Sequence, residues 1–167
     1  MEINGSRLVQ AELPRVWRGL TDPAVLRLCI PGCESIEKVS DHEYVMAVGV
    51  SVGPVRARFI GKLFLTELNR PHTYRLGFEG EGDAVGFAKA AADVTLATSD
   101  LGTILTYRVT TQIGGILAQV VPSLIDSTAR MMVDEFFEKF NNALISHDSA
   151  TEPQLAGEIR SLSVNKW

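Results

Sequence analysis

Five consecutive segments of this 167-residue chain alternate apolar with polar or small residues, and a sixth, longer segment repeats its apolar residues at helical spacing. The alternating segments are residues 44–52, 55–65, 74–78, 88–96 and 105–109. Turn-separated alternation of this kind predicts an antiparallel meander with one apolar face. The helical segment runs from Leu117 to Leu144 and carries a single apolar stripe. Pro122 lies inside it and predicts a kink or a restart.

Shorter elements precede the meander. Residues 2–10 predict a first strand, and residues 11–22 predict a short helix. Asp22 and Pro23 predict the N-cap and first turn of a second helix, which ends at Pro31-Gly32. The apolar sheet face and the apolar helix stripe must both be buried, and each is the other's obvious partner. We therefore predict an α+β helix-grip fold: a curved antiparallel sheet wrapped around a long C-terminal helix. The predicted domain is 1–147, and 148–167 form a tail.

Charge and hydropathy exclude several classes of protein. A net charge of −4 and a pI near 5.4 argue against a nucleic-acid partner, which would require a basic excess. The first ten residues do not resemble a signal peptide, and no apolar run approaches the ~20 residues that span a bilayer. The expected location is the cytoplasm, with peripheral contact at the inner face of the membrane as the open alternative.

The two cysteines, Cys29 and Cys33, flank the Pro31-Gly32 turn. Their C-x3-C spacing is not that of the usual zinc pairs, and the chain has no other cysteine. The histidines, His42, His72 and His147, form no spaced pair. We expect both cysteines to be reduced and structural, with a reactive thiol as the alternative. No metal and no cofactor are expected.

A cavity is predicted between the sheet and the long helix. The inward face of the fourth alternating segment begins with three alanines, which either let the helix approach closely or leave space. The predicted lining residues are Ala90, Ala92, Val94, Leu105, Tyr107, Met132 and Phe136. The mouth is expected at the kink near Pro122 or at a glycine-rich connection. This connection contains Gly80, Gly82 and Gly86 and is either a plain flexible loop or a gate.

The outer sheet face is predicted to be basic, because the alternation places only Glu79 and Asp93 there as acids. Its predicted cations are Arg56, Arg58, Lys62, Arg75, Lys89 and Arg108. A solvated face and a docking surface for an anionic partner or for lipid headgroups are both consistent with this pattern.

Catalysis is the alternative to binding. Acid–base or nucleophilic chemistry requires a set of titratable side chains inside the cavity. The histidines fall in turns or at a helix end, and the inward polar tips are the hydroxyls of Tyr44, Tyr74 and Tyr107. Tyrosine hydroxyls more often satisfy a hydrogen bond than drive catalysis. No catalytic residue is therefore predicted.

The chain also resembles a known family, that of the carbon monoxide dehydrogenase G-subunit (CoxG), in the START-like (birch-pollen-allergen-like) superfamily of helix-grip folds. The matching positions are Asp22-Pro23, Leu26, Cys29 to Glu34, Val52 to Val55, Ala57, Phe59, Gly61, Pro71, Tyr74, Gly86 to Lys89, Gly114-Gly115, Leu117 to Gln119, Leu124-Ile125 and Phe136-Phe137. They extend over about residues 1–147 and identify no catalytic residue.

The resemblance implies a non-enzymatic accessory protein of a molybdenum hydroxylase of the carbon monoxide dehydrogenase type. Such a protein would bind an apolar ligand, a quinone or a lipid, between sheet and helix and help to link the enzyme to the membrane. The expected partners are the subunits of that hydroxylase. The alternatives are a START-like enzyme of the cyclase or hydrolase type and an interaction module without a ligand.

Overall fold

The computed structural model describes the backbone of residues 1–157 and the side chains of residues 1–145. Within these residues, seven strands and three α-helices form the fold. The strands are β1 (Glu2–Val9), β2 (Cys33–Ser40), β3 (Glu43–Val52), β4 (Val55–Asn69), β5 (Thr73–Gly82), β6 (Gly86–Ser99) and β7 (Gly102–Gly114). The helices are α1 (Leu13–Thr21), α2 (Pro23–Cys29) and α3 (Pro122–Gly157). Short 3-10 turns lie at Asp83–Val85 and Gly115–Gln119.

All seven strands form one antiparallel sheet in the order β1-β7-β6-β5-β4-β3-β2. The chain meanders from β2 to β7, and β1 closes the far edge against β7. Because side chains alternate across each strand, one face is buried under the helices and the other faces outward. The predicted helix-grip fold is confirmed.

The helix boundaries follow the local chemistry. The Asp22 carboxylate accepts a hydrogen bond from the backbone N–H of Ala24 at 2.9 Å, so the predicted N-cap of α2 is confirmed. Pro122 is the first residue of α3, where its missing N–H costs no helical hydrogen bond. The predicted restart at this proline is therefore confirmed.

Helix α3 lies across the inner face of the sheet and is fixed near its middle by Phe140. This side chain is 0% exposed, and its ring stacks on that of Phe136 with 5.6 Å between centroids. Gly19 of α1 gives Phe140 its room, because a Cβ there would lie 3.0 Å from the ring. No helix within the described residues is both long and apolar enough to cross a bilayer.

Three features differ from the sequence-based expectation. The edge strand β2 was not predicted, because most of its side chains are exposed and no apolar alternation marks it. Gly80 and Gly82 belong to β5 and Gly86 begins β6, so the connection is the short turn Asp83–Val85 and not a long glycine loop. Helix α3 continues past the predicted boundary at residue 147 to Gly157, and residues 158–167 of the predicted tail lie outside the described residues.

Candidate ligand cavity

An apolar cavity of about 250 Å³ lies between the inner face of the sheet and α3. Its walls come from α1, α2 and the turn that follows, from the four adjacent strands β4 to β7, and from α3. The lining residues are Leu20, Leu26, Ile30, Pro31, Leu63, Tyr74, Leu76, Ala92, Val94, Leu105, Tyr107, Val109, Met132, Val133, Phe136 and Phe137. None of these side chains carries a charge, and two of them, both tyrosines, carry a hydroxyl. Such a space suits an apolar molecule with a small polar group.

The structure brings six of the seven predicted lining residues to this cavity. They are Ala92, Val94, Leu105, Tyr107, Met132 and Phe136. Ala92 lies opposite Leu76 on β5 and Val109 on β7, and both of these neighbours also line the cavity. Ala90 is one inward position farther along β6 and is not a lining residue. Whether the six contact a ligand stays a prediction.

The wall formed by α1, α2 and their following turn was missed by the sequence reasoning. Leu20, Leu26, Ile30 and Pro31 supply it. Helical spacing placed Leu20 and Leu26 on apolar faces, but it does not indicate what those faces cover. The Pro-Gly turn between the two cysteines therefore borders the cavity through Pro31.

Gly32 has a φ of 76°, and a Cβ there would lie 2.0 Å from the carbonyl oxygen of Gly49, so glycine is required at this position.

Neither predicted mouth adjoins the cavity. No lining residue comes from the turn Asp83–Val85, from its flanking glycines or from Pro122. The cavity instead occupies the part of β5 and β6 around Tyr74, Leu76, Ala92 and Val94, near the opposite end of that hairpin. At the glycine end, Gly86 packs on Gly115, where a Cβ would lie 2.5 Å from the Gly86 Cα. This close backbone contact accounts for glycine at positions 86 and 115 without a gating role.

Three buried tyrosines place hydroxyls on the inner side of the sheet, and they differ in their partners. The Tyr44 hydroxyl donates to the backbone oxygen of Thr21 at 2.6 Å. The Tyr107 oxygen accepts from Arg7 at 3.5 Å and lies against Gly5. The Tyr74 hydroxyl forms no hydrogen bond with any described residue, and its ring packs edge-on against Trp17 with 5.3 Å between centroids. Burial raises the pKa of Tyr74 far above its ordinary value.

Arg7 links β1 to α3 beside the cavity. Its guanidinium forms an ion pair with Asp134 and lies 5.3 Å from the ring centroid of Phe137. Phe137 in turn stacks on Tyr107 with 5.4 Å between centroids. These contacts therefore pack against two lining side chains, Tyr107 and Phe137. The ion pair is largely exposed, so its contribution to stability is small.

The outer sheet face is less basic than the alternation indicates. Three of its six predicted docking cations form ion pairs across strands: Arg58 with Glu34 at 2.7 Å, Arg75 with Asp93 at 2.7 Å, and Arg108 with Glu2 at 2.6 Å. Glu2 and Glu34 were not assigned to this face because β2 was not predicted and the partner of β1 was unknown. Lys62 and Lys89 both lie opposite Glu79. Arg56, opposite Ser51, has no ion pair with a described residue. A docking role for this face stays a prediction.

Both cysteines are free thiols in different surroundings. Cys29 is completely buried, and burial raises the pKa of its thiol to about 11. Cys33 is partly exposed, and burial raises its pKa as well. Among the described residues, no group of three or more His, Cys, Asp or Glu side chains is placed to hold a metal ion. A thiol nucleophile is disfavoured, because reactivity requires an accessible thiolate.

Alkylation with iodoacetamide at neutral pH should modify Cys33 about tenfold faster than Cys29, because only Cys33 is accessible without local unfolding. Mass spectrometry of proteolytic peptides taken at successive times measures the two rates. Urea provides the control, because both thiols are exposed in the unfolded chain and should then react at similar rates. Equal rates in the native protein would contradict the buried position of Cys29.

The sequence and the fold were compared with known proteins, and both have relatives among them. The model of the family described as that of the carbon monoxide dehydrogenase G-subunit (CoxG) matches residues 5–145. No curated protein matches the chain. The solved structure of a conserved protein from Geobacillus kaustophilus is 27% identical, with a TM-score of 0.80 over 87% of this chain and 96% of that one.

Two more distant structures share the fold alone. A START superfamily protein from Mycobacterium smegmatis is 10% identical, with a TM-score of 0.65 over 87% of this chain and 97% of that one. The Zhui aromatase/cyclase from Streptomyces sp. R1128 is 13% identical, with a TM-score of 0.59 over 98% of each chain.

Proposed function

Because the chain belongs to the CoxG family of carbon monoxide dehydrogenase proteins, we propose that it is a non-enzymatic accessory protein of a molybdenum hydroxylase of the carbon monoxide dehydrogenase type. In this role it holds an apolar ligand, a quinone or a lipid, between the sheet and α3, and it helps to link the enzyme to the membrane. The observation that carries the proposal is the apolar cavity of about 250 Å³, whose lining among the described residues contains no charged side chain. Well-packed interiors contain few voids of this size.

The size of the cavity restricts what it encloses. An apolar cavity of about 150 Å³ is sufficient to bind benzene, whereas typical ligand pockets measure about 300–1,000 Å³. At about 250 Å³, this cavity suits a ring system and not a complete long-chain molecule. The proposed ligand therefore buries its ring and leaves any long chain outside. Partly exposed lining residues on the turn after α2 (Ile30, Pro31) and on α3 (Met132, Phe136) favour access between these two elements.

The lining favours binding over catalysis. Among the side chains that the structure describes, its only polar groups are two tyrosine hydroxyls, with no histidine, carboxylate, amine or thiol. The raised pKa of Tyr74 makes its phenolate scarce at neutral pH, so this side chain is a poor general base. An enzyme of the cyclase type would need an acid–base group that this lining does not supply.

Native mass spectrometry of the freshly purified protein tests the proposal. We expect a fraction of the protein to carry an additional mass that organic solvent releases and that is identified as a quinone or lipid. The Ala92→Trp variant, purified in parallel, is the matched control and should lack this mass. If the wild-type protein carries no such molecule and takes up neither quinone nor lipid when they are supplied, the carrier role fails and an interaction module without a ligand is supported.

A further inference from the structure

The Tyr74 side chain lines the apolar cavity and carries a hydroxyl without a hydrogen-bond partner among the described residues. The residue lines the cavity, is 5% exposed and makes no hydrogen bond through its hydroxyl to any described residue. The other buried tyrosines differ, because the hydroxyls of Tyr44 and Tyr107 both have partners. Buried hydroxyls are nearly always hydrogen-bonded, so this exception calls for a partner that the described residues do not supply.

The position of the Tyr74 oxygen indicates where that partner lies. In the part of the chain with described side chains, only the Nδ1 atom of His42 is both fully enclosed and without a hydrogen-bond partner. The Tyr74 oxygen also lacks a partner but is not fully enclosed, so it borders open space. Tyr74 lines the cavity, so the cavity is the candidate for that space.

We propose that the Tyr74 hydroxyl donates a hydrogen bond to a carbonyl oxygen of the ligand, and so makes the cavity selective for an apolar ring that carries a carbonyl. The inference rests on the proposed function, because it concerns the ligand of the same cavity. Burial keeps the phenol protonated, and a protonated phenol requires an acceptor. A carbonyl accepts without donating, so one donor satisfies it. A ligand hydroxyl or amine would bring a further proton, and the one other side-chain oxygen among the described lining residues, that of Tyr107, already accepts from Arg7.

Two matched probes test this inference: 2,3-dimethyl-1,4-naphthoquinone and 2,3-dimethylnaphthalene. They differ in the carbonyls, and the two methyl groups block addition of the quinone to the cysteine thiols. Equilibrium dialysis measures the affinity of each probe for the wild-type protein, for Tyr74→Phe and for Tyr107→Phe. Tyr107→Phe is the control, because Tyr107 lines the same cavity but its hydroxyl lies against Arg7 and Gly5. The unfolding midpoint of each variant shows that the fold is retained.

Tyr74→Phe should weaken quinone binding about two- to tenfold and leave hydrocarbon binding unchanged or stronger, as expected for loss of one neutral hydrogen bond. Tyr107→Phe should change the ratio of the two affinities by less than twofold. If both probes bind and Tyr74→Phe leaves that ratio unchanged, this inference is wrong while the proposed function stands. If neither probe binds the wild-type protein, this inference fails, whereas the carrier function fails only if native mass spectrometry also finds neither bound quinone nor bound lipid.

Discussion

Replacement of Ala92 by tryptophan is expected to abolish ligand binding while the protein remains folded. Ala92 lies on the inner face of β6, and its neighbours on both flanking strands, Leu76 and Val109, line the cavity with it. An indole at this position would project into the space of about 250 Å³ and exclude a ring-sized ligand. In a fully packed core the same substitution would overpack, at a cost of about 1–3 kcal/mol or more. Here the cost should be below about 1 kcal/mol, because empty space receives the side chain.

Urea denaturation measures the stability of the Ala92→Trp variant, and titration with 2,3-dimethyl-1,4-naphthoquinone measures its binding. Ala97→Trp is the matched control, because Ala97 lies on the same strand and is exposed. The control should bind as the wild type does. Unfolding of the Ala92→Trp variant under native conditions, together with absence of binding by the wild type, would show that this region is a packed core and not a binding cavity.

The sheet and α3 were predictable because their patterns depend on local periodicity. Alternation and helical spacing assign side chains to faces without any knowledge of strand order, and this is why six of the seven predicted lining residues reach the cavity. The helix starts at Asp22 and Pro122 were predictable for the same reason, because side-chain capping and the missing proline N–H both act within one turn of helix. The resemblance to the CoxG family, stated from short motifs, is confirmed by the match over residues 5–145.

The remaining features depend on which elements meet, and no local pattern encodes that. The wall formed by Leu20, Leu26 and Pro31 exists because α1 and α2 fold over the inner face of the sheet. The pairing of Arg58 with Glu34 requires an edge strand whose exposed side chains give no alternating signal. The unpartnered hydroxyl of Tyr74 is likewise a property of the assembled cavity, although the alternation did place Tyr74 inward.

Phe140→Ala should destabilise the protein strongly, with a loss of about 3–5 kcal/mol in the free energy of unfolding. The side chain is 0% exposed, and its ring stacks on Phe136. The ring also lies so close to Gly19 that a Cβ there would be 3.0 Å from it. Gly19 belongs to α1 and Phe136 to the cavity wall, so removing the ring leaves a void where α1, α3 and the cavity meet. A void of this kind costs both the lost transfer free energy and the lost packing contacts.

Urea denaturation followed by circular dichroism measures the effect of Phe140→Ala, and Met131→Ala on the same helix is the control. Met131 is 58% exposed, so its truncation should change the free energy of unfolding by less than about 0.5 kcal/mol. Ligand binding should weaken in Phe140→Ala even where the variant is fully folded, because Phe136 loses the ring on which it stacks and no longer holds a single position in the cavity wall. A loss of less than about 1 kcal/mol in the free energy of unfolding would contradict the packing of α3 on α1 at this position. The cavity would then lack the rigid wall that selective binding of a small ring requires.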